Sequence, residues 1–174
     1  MKSVKLIILT MLAFIALIQL SWKNDTPSYP YKPTYSSAAY TASHPEYLLR
    51  VLTVWKNFET GNVTAMKQYY ADTVTYDAAD GFRFHGRAED LLNMAKKGNA
   101  GLDSLRFDIS MWQCVHLADR NEDWVYIWSV ERRYPRDGKA DTSFMHEQWK
   151  IEKGKIIYFN QYQAANINIP GSRK

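Results

Sequence analysis

Apolar residues recur along the middle of the chain with helical spacing in three places. Between residues 48 and 58 they fall three or four positions apart, and Gly61 follows where a left-handed C-terminal cap is expected. Asn62 is placed to cap a short second helix that ends near Asp72. Residues 88–97 have the composition of a third helix, and a glycine-containing segment ends it.

Strands follow and interrupt these helices, as the alternation of apolar and polar positions predicts. A hairpin is predicted from residues 74–77 to residues 82–85 through a turn at Asp80 and Gly81. Four longer antiparallel strands are predicted at residues 104–117, 124–134, 142–151 and 155–163. The pattern therefore predicts an α+β domain in which three N-terminal helices pack on a mostly antiparallel sheet.

The strand at 124–134 is apolar on both of its faces. Val125 and Ile127 point to one side, while three aromatic residues point to the other. These three are Trp124, Tyr126 and Trp128. A sheet that is apolar on both sides must be covered on both sides, and the helices of so small a domain cover only one. We therefore expect a homodimer in which a second copy of the chain covers part of the other face.

The two ends of the chain differ in composition from this domain. Residues 1–22 combine a basic start with an apolar run at 6–20, which is typical of a secretory signal peptide or N-terminal anchor. As a helix the run would span roughly 22 Å, short of the roughly 30 Å hydrocarbon core. We expect a Pro-, Tyr- and Ser-rich linker at 23–45, the folded domain at 46–164 and a tail at 165–174. The predicted location is periplasmic or secreted; the alternative is membrane anchoring by the apolar run.

Charge and cysteine content argue against several classes of function. Outside the two lysines of the targeting segment, the chain has 20 basic and 18 acidic residues, too balanced for a nucleic-acid binder. Cys114 is the only cysteine, which excludes an internal disulfide and a cysteine-based zinc site. The four histidines lack the spacing of a local metal chelate. No metal and no cofactor is expected.

Several short motifs resemble the nuclear transport factor 2-like superfamily, of which SnoaL-like domains are part. They are Val54–Asn62, Tyr70–Asp72, His85–Arg87, Trp149, Gly154–Ile156 and Tyr162. The resemblance covers nearly all of residues 47–163 and implies a cone-shaped fold, with a curved sheet around a central pocket and frequent homodimers. The superfamily includes isomerases, polyketide cyclases, epoxide hydrolases, dehydratases and members that only bind, so the fold alone does not define the chemistry.

The catalytic residues that the resemblance implies are matched only in part. The catalytic base of the isomerases corresponds to Ala78 when the alignment is counted forward from Tyr70–Asp72, and to Asp77 when it is counted backward from His85–Arg87. Their oxyanion tyrosine falls near Val54, which has no hydrogen-bond donor, and their second acid falls on His146 or Glu147. The cyclases use an aspartate on the last strand, where this chain has neutral amides that cannot exchange a proton.

Asp77, His85 and His146 are the candidate catalytic residues, because a carboxylate bonded to an imidazole makes an acid–base pair. A structural polar cluster explains the same three residues equally well. Glu131 and Arg133 are expected to form surface or interface pairs. For the aromatic residues, core or dimer packing is the alternative to ligand contact. The expected ligand-binding residues are Trp55, Tyr70, Trp112, Trp128 and Gln161.

The sequence favours an exported pocket protein that binds a small, partly apolar molecule without a complete catalytic set. One alternative is an isomerase, lyase or cyclase that abstracts a proton with Asp77, assisted by His146 or His85. The other is a non-catalytic dimeric accessory domain. Asp77 bonded to either imidazole inside a closed pocket would favour the enzyme, and a pocket filled by the protein's own side chains would favour the accessory domain.

Overall fold

The computed structural model of the protein describes residues 40–165. The predicted signal peptide or anchor, most of the linker and nearly all of the tail lie outside these residues. The elements are β1 (Tyr40–Ala42), α1 (Pro45–Glu59), a 3-10 helix (Val63–Tyr69), β2 (Tyr70–Asp77), β3 (Arg83–Arg87), α2 (Ala88–Asn99), β4 (Leu102–Leu117), β5 (Glu122–Pro135), β6 (Asp141–Glu152) and β7 (Lys155–Ala165). Within this part of the chain no helix is long and apolar enough to cross a membrane.

The seven strands form one open, curled sheet in the order β1-β4-β5-β6-β7-β2-β3. Neighbouring strands are antiparallel, except that β2 runs parallel to β7. The four long strands lie where the alternation of apolar residues predicts them, because short turns keep consecutive strands side by side. The α+β class and the packing of helices on a mostly antiparallel sheet are confirmed.

Helices α1 and α2 bury their apolar residues against one face of this sheet. Val54 of α1 is 1% exposed and Leu92 of α2 is 6% exposed. They belong to one core cluster with Val125 and Ile127 of β5, both completely buried. Each such side chain stabilises the fold by about 1.5–3 kcal/mol relative to exposure. We call this the inner face of the sheet and the opposite side the outer face.

The hairpin between β2 and β3 turns where the sequence predicts. Gly81 has a φ of +87°, in the left-handed region that glycine adopts without steric cost. The Phe82 N–H donates to the Asp80 carboxylate at 2.9 Å, and the Ala78 N–H donates to the Phe82 carbonyl at 2.8 Å. These bonds hold the turn at the end of β2, beside the recess described below.

The second helix differs from its prediction in type and in length. It is a 3-10 helix, and Asn62 makes no side-chain cap hydrogen bond. Strand β2 begins directly afterwards at Tyr70, which pairs with Ile156 of β7, so the extended segment starts four residues before residue 74. Tyr70 and Thr73 are of residue types that favour extended backbone, which helps β2 to begin early.

The last residues of the predicted linker are part of the sheet. Strand β1 pairs with residues 115–117 of β4, and the Ser43 hydroxyl donates to Asp123 Oδ1 at 2.5 Å. The linker prolines that would prevent such pairing lie outside β1, so its N–H groups are available. Pro45 instead begins α1, where a helix needs no backbone donor.

The outer face carries a row of partly exposed aromatic rings, as the sequence predicts. Trp128 stacks on His146 with ring centroids 4.5 Å apart and planes 9° apart. Tyr126 stacks beside Trp128 at 6.4 Å, and Tyr162 lies on the other side of His146 at 5.8 Å. The rings therefore stand against each other across three neighbouring strands. The homodimer that would cover them stays a prediction.

Candidate functional site

A recess of about 320 Å³ opens on the inner face, between the helices and the sheet. This volume lies at the lower end of the range of sites that hold small organic molecules. Apolar and aromatic residues of both helices and aromatic residues of four strands form most of its wall. The aromatic residues include Trp55, Tyr70, Tyr76, Phe107, Trp149 and Phe159. Trp149 and Phe159 stack at 4.3 Å and 7°, which fixes this part of the wall.

Glu147 of β6 is a buried acid in the wall of the recess, with only 2% of the residue exposed. Gln161 Nε2 donates to its Oε1 at 2.5 Å, and Trp149 Nε1 donates to its Oε2 at 2.9 Å. The Tyr76 hydroxyl in turn donates to Gln161 Oε1. A chain of hydrogen bonds thus joins β2, β7 and β6, and it holds both carboxyl oxygens in place.

The environment of Glu147 favours its protonated form. Burial raises the pKa of Glu147 to about 8; hydrogen bonds from Gln161 and Trp149 oppose this shift, and the charge of Glu131 adds to it. At neutral pH most molecules therefore carry a neutral carboxylic acid here. Such a group can donate a hydrogen bond or titrate close to neutral pH.

Two tyrosines beside Glu147 stay neutral. Burial and the nearby carboxyl of Glu147 raise the pKa of Tyr76 to about 12. Burial also raises the pKa of Tyr70, which is 5% exposed. Their hydroxyl groups therefore act as uncharged hydrogen-bonding groups at any physiological pH.

Glu131 and Arg133 of β5 form an ion pair in the recess, in which Arg133 Nε donates to Glu131 Oε1. Glu131 is 3% exposed, whereas the Arg133 side chain is 48% exposed. The expectation of a surface or interface pair is wrong for Glu131. Residues two apart share a face of a strand, and these two continue the face of Ile127, which the helices cover.

Asp77 and His85 lie on the outer face, away from the recess. Asp77 accepts a hydrogen bond from the Tyr158 hydroxyl at 3.0 Å and pairs with Arg83 Nε at 3.1 Å. His85 Nδ1 lies 2.8 Å from the Thr75 hydroxyl. Among the described residues, neither candidate imidazole is a partner of Asp77. The structure therefore does not bring these two candidates together as an acid–base pair.

Strand alternation explains why Asp77 and the recess lie on different sides. Its neighbour Tyr76 faces inward, stacked on Phe159 at 4.5 Å, so Asp77 faces outward. Ala78, the other position to which the resemblance assigns a base, does line the recess. It has no group that can accept a proton.

His146 also lies on the outer face, in the aromatic stack described above. Burial lowers its pKa, which favours the neutral imidazole. Its Nε2 is buried and has no hydrogen-bond partner among residues 40–165. The adjacent residue, Glu147, faces inward. Of the two positions to which the resemblance assigns a second acid, only Glu147 lies in the recess.

Three of the five expected ligand-binding residues line the recess: Trp55, Tyr70 and Gln161. Trp112 and Trp128 do not. Trp112 pairs with Ile127 but is 52% exposed, while Trp128 points to the outer face. A register shift in β4 between Ile109 and Met111 determines which side each β4 residue occupies, and the sequence does not reveal it.

The recess contains four charged or acidic residues that were not among the expected site residues: Asp80, Glu131, Arg133 and Glu147. A signal for Glu147 was present, because it alternates with Met145 and Trp149 on an apolar strand face. An acid between buried apolar positions is uncommon outside functional sites. Among the described residues, no three His, Cys, Asp or Glu side chains are grouped so as to hold a metal ion.

No family model and no curated protein matches this chain. Solved structures do match. An LEH-like epoxide hydrolase from M. tuberculosis has a TM-score of 0.58 and 11% identity over 69% of this chain and 84% of its own. A protein assigned as a SnoaL-like polyketide cyclase, from Shewanella putrefaciens, has a TM-score of 0.56 and 8% identity over 70% of this chain and 81% of its own.

A third match is a hypothetical protein with a ketosteroid isomerase-like fold from Catenulispora acidiphila, solved in complex with trimethylamine. Its TM-score is 0.55 and its identity 18%, over 69% of this chain and 86% of its own. At such identities the matches establish the fold and not the chemistry. They confirm the fold that the resemblance implies.

Proposed function

We propose that this chain, which has the nuclear transport factor 2-like fold of SnoaL-like domains, binds a small, partly apolar molecule in the recess of its inner face. The observation that carries the proposal is Glu147, an acid held by two hydrogen bonds inside an aromatic recess of about 320 Å³. Apolar walls favour the burial of a hydrocarbon body, and a few fixed polar groups orient its polar end.

The structural matches support this proposal at the level of the fold. They include proteins described as an epoxide hydrolase and a polyketide cyclase, and one that holds trimethylamine. The alternative of proton abstraction by Asp77 receives no support from the geometry, because Asp77 pairs with Tyr158 and Arg83 on the outer face.

The proposal is tested by filling the recess. Ala78→Trp places a large ring at the recess wall, and Ala100→Trp places the same ring at an exposed position after α2. Binding of a fluorescent apolar dye to the full chain should weaken at least tenfold with Ala78→Trp, because the ring occupies ligand space. Ala100→Trp should leave dye binding unchanged. Equal dye binding by both variants would contradict the proposal.

Native mass spectrometry of the protein purified from its own host would identify a retained molecule. We expect a small adduct that is lost from the Ala78→Trp variant. An adduct that both variants retain would place the molecule elsewhere on the protein.

We further propose that the protein is exported and that its outer face pairs with a second copy. Residues 1–22 support export, and the partly exposed aromatic rings of β5 support pairing. Sedimentation of the protein purified from its host should show a dimer, and Trp128→Glu should dissociate it by placing a charge in the interface. A monomer at high concentration would exclude pairing, and recovery from the cytoplasm alone would exclude export.

A further inference from the structure

Glu147 is a buried acid without a cationic partner among residues 40–165. Its hydrogen-bond donors, Gln161 and Trp149, are both neutral. Glu131, also buried in the recess, is neutralised by Arg133. A buried carboxylate that no cation compensates is unfavourable, so the group either keeps its proton or takes a cation from outside the chain.

The other titratable groups around the recess leave it with an excess of negative charge. They are Glu131 and Arg133 from β5, Tyr70 and Tyr76 from β2, and Asp80 from the hairpin turn. Helices α1 and α2 contribute no titratable side chain to the wall. With both tyrosines neutral, three carboxyl groups face one guanidinium. The field in the recess therefore attracts positive charge whenever Glu147 is ionised.

The walls of the recess suit an alkylated cation better than a hydrated metal ion. Aromatic rings carry partial negative charge on their faces and stabilise ammonium groups with methyl or alkyl substituents. A recess of about 320 Å³ also leaves room for an apolar body attached to the charged group. The apolar side chains of α1 and α2 would cover that body.

We infer that the ligand of the recess is a small organic cation, an amine or quaternary ammonium ion with an apolar body, whose charge pairs with the Glu147 carboxylate. The inference rests on the proposed ligand-binding function of the same recess. When the cation binds, Glu147 releases its proton to the solvent, and no covalent bond forms or breaks. Gln161 and Trp149 keep the two carboxyl oxygens in position for the incoming charge.

Binding of such a cation depends on pH in a defined direction. Burial raises the pKa of Glu147 to about 8, so the carboxylate that the cation needs becomes more abundant as the pH rises from 6 to 8. For a quaternary ammonium ion, whose own charge is fixed, the affinity should increase about fifty-fold over this interval and change little above it. A neutral ligand should show no such increase.

The test is isothermal titration of the full chain with matched pairs of ligands. One member is a trimethylammonium alcohol with a chain from ethyl to hexyl, such as choline, and the other is its neutral tert-butyl isostere. At pH 8 we expect at least one cation to bind ten-fold or more tightly than its isostere. Near pH 6.5, buffers with different ionisation enthalpies should reveal the release of about one proton per bound cation.

Glu147→Gln should abolish both the preference for the cation and its pH dependence, while the neutral isostere still binds. The matched control is Glu152→Gln, the same change at an exposed position of β6, which should keep both. Should Glu147→Gln fail to fold, Arg133→Gln serves instead: loss of the competing positive charge should raise cation affinity several-fold. An unchanged or lower cation affinity in that variant would contradict the inference.

Failure of the inference and failure of the proposed function look different in these titrations. Neutral isosteres that bind as tightly as the cations at every pH would overturn the inference and leave a ligand-binding recess. Preference for a matching carboxylate ligand would also overturn it, since Arg133 would then be the recognising group. Absence of binding by cations, isosteres and the apolar dye would remove the recess as a binding site altogether.

Discussion

The inner and outer faces of the sheet each hold an acid of unusual pKa, but the two pKa values are displaced in opposite directions. On the inner face, burial without a cation raises the pKa of Glu147 to about 8. On the outer face, burial acts to raise the pKa of Glu122, but hydrogen bonds from Arg120, Lys150 and Trp124 outweigh it and lower this pKa to about 2. Glu122 has cationic partners within the chain, whereas Glu147 has none among residues 40–165.

This difference separates a structural polar cluster from a candidate binding site. Glu122 lies 2.8 Å from Lys150 Nζ and 3.2 Å from Arg120, and Asp77 is likewise paired with Arg83. Such pairs need no further partner. Glu147 has only neutral donors, and it faces a space that can hold a molecule. The faces are thus distinguished by Glu147, a buried inner-face acid without a counter-charge among residues 40–165, and not by their number of polar groups.

The largest expected effect is on stability, from truncating a tryptophan on each face. Trp149→Ala should lower the free energy of unfolding by about 3–5 kcal/mol, because the ring is 3% exposed and stacked on Phe159. Trp128→Ala should cost about 1 kcal/mol, because the ring is partly exposed and its main contact is the stack on His146. Urea unfolding measures both. A loss at Trp128 as large as that at Trp149 would indicate that a partner covers the outer face.

The next effect is the pH dependence of stability, which should have opposite signs for the two acids. Unfolded Glu147 ionises near 4.5, whereas the folded protein keeps its proton until about pH 8. Between these values the unfolded chain binds fewer protons, so the free energy of unfolding falls as the pH rises, by on the order of a few kcal/mol. Glu147→Gln should remove this decline.

The pKa of Glu122 is lower in the folded protein than in the unfolded chain. Its contribution to the free energy of unfolding is therefore complete above about pH 4.5 and is lost as the pH falls toward 2. Glu122→Gln should remove that acid-side loss and leave the decline between pH 4.5 and 8 in place. Urea unfolding at a series of pH values measures both slopes. If the two substitutions altered the same slope, the contrast between the faces would not hold.

The smallest effect is expected from Asp77→Asn. The Asp77 carboxylate is partly exposed and its pair with Arg83 is a surface ion pair, which typically contributes less than about 1 kcal/mol. Ligand binding in the recess should be unchanged, because Asp77 faces the other side. The titrations described above measure this directly. A tenfold loss of ligand affinity would show that Asp77 contributes to the binding site.

Much of the fold was predictable from local sequence patterns. Helix α1, the turn at Gly81 and the four long strands depend on apolar periodicity and on glycine conformation, which are local properties. The 3-10 type and earlier end of the second helix, and strand β1, were not predicted, because the first depends on where β2 enters the sheet and the second on pairing with a strand 73 residues away, as for Ala42 and Val115. Those are non-local contacts.

The candidate site was less predictable than the fold. Adjacent residues of a strand face opposite sides, so an uncertainty of one position in the match exchanges His146 for Glu147 and Asp77 for Ala78. Trp55, Tyr70 and Gln161, which the sequence proposed, line the recess, but the sequence could not show that Glu131 and Glu147 share it, because that depends on the register between β5 and β6 and on which face the helices cover. Burial, which gives Glu147 its raised pKa, is likewise a property of the assembled domain.

The open sheet ends in two strands whose backbone groups could pair with another molecule, and both ends limit such growth. Within the described residues strand β1 is only three residues long, and β3 carries the long charged side chains Arg83 and Arg87. Short and charged edges are a common protection against aggregation. Pairing through the outer face, as proposed above, would therefore give a closed pair that does not extend into fibres.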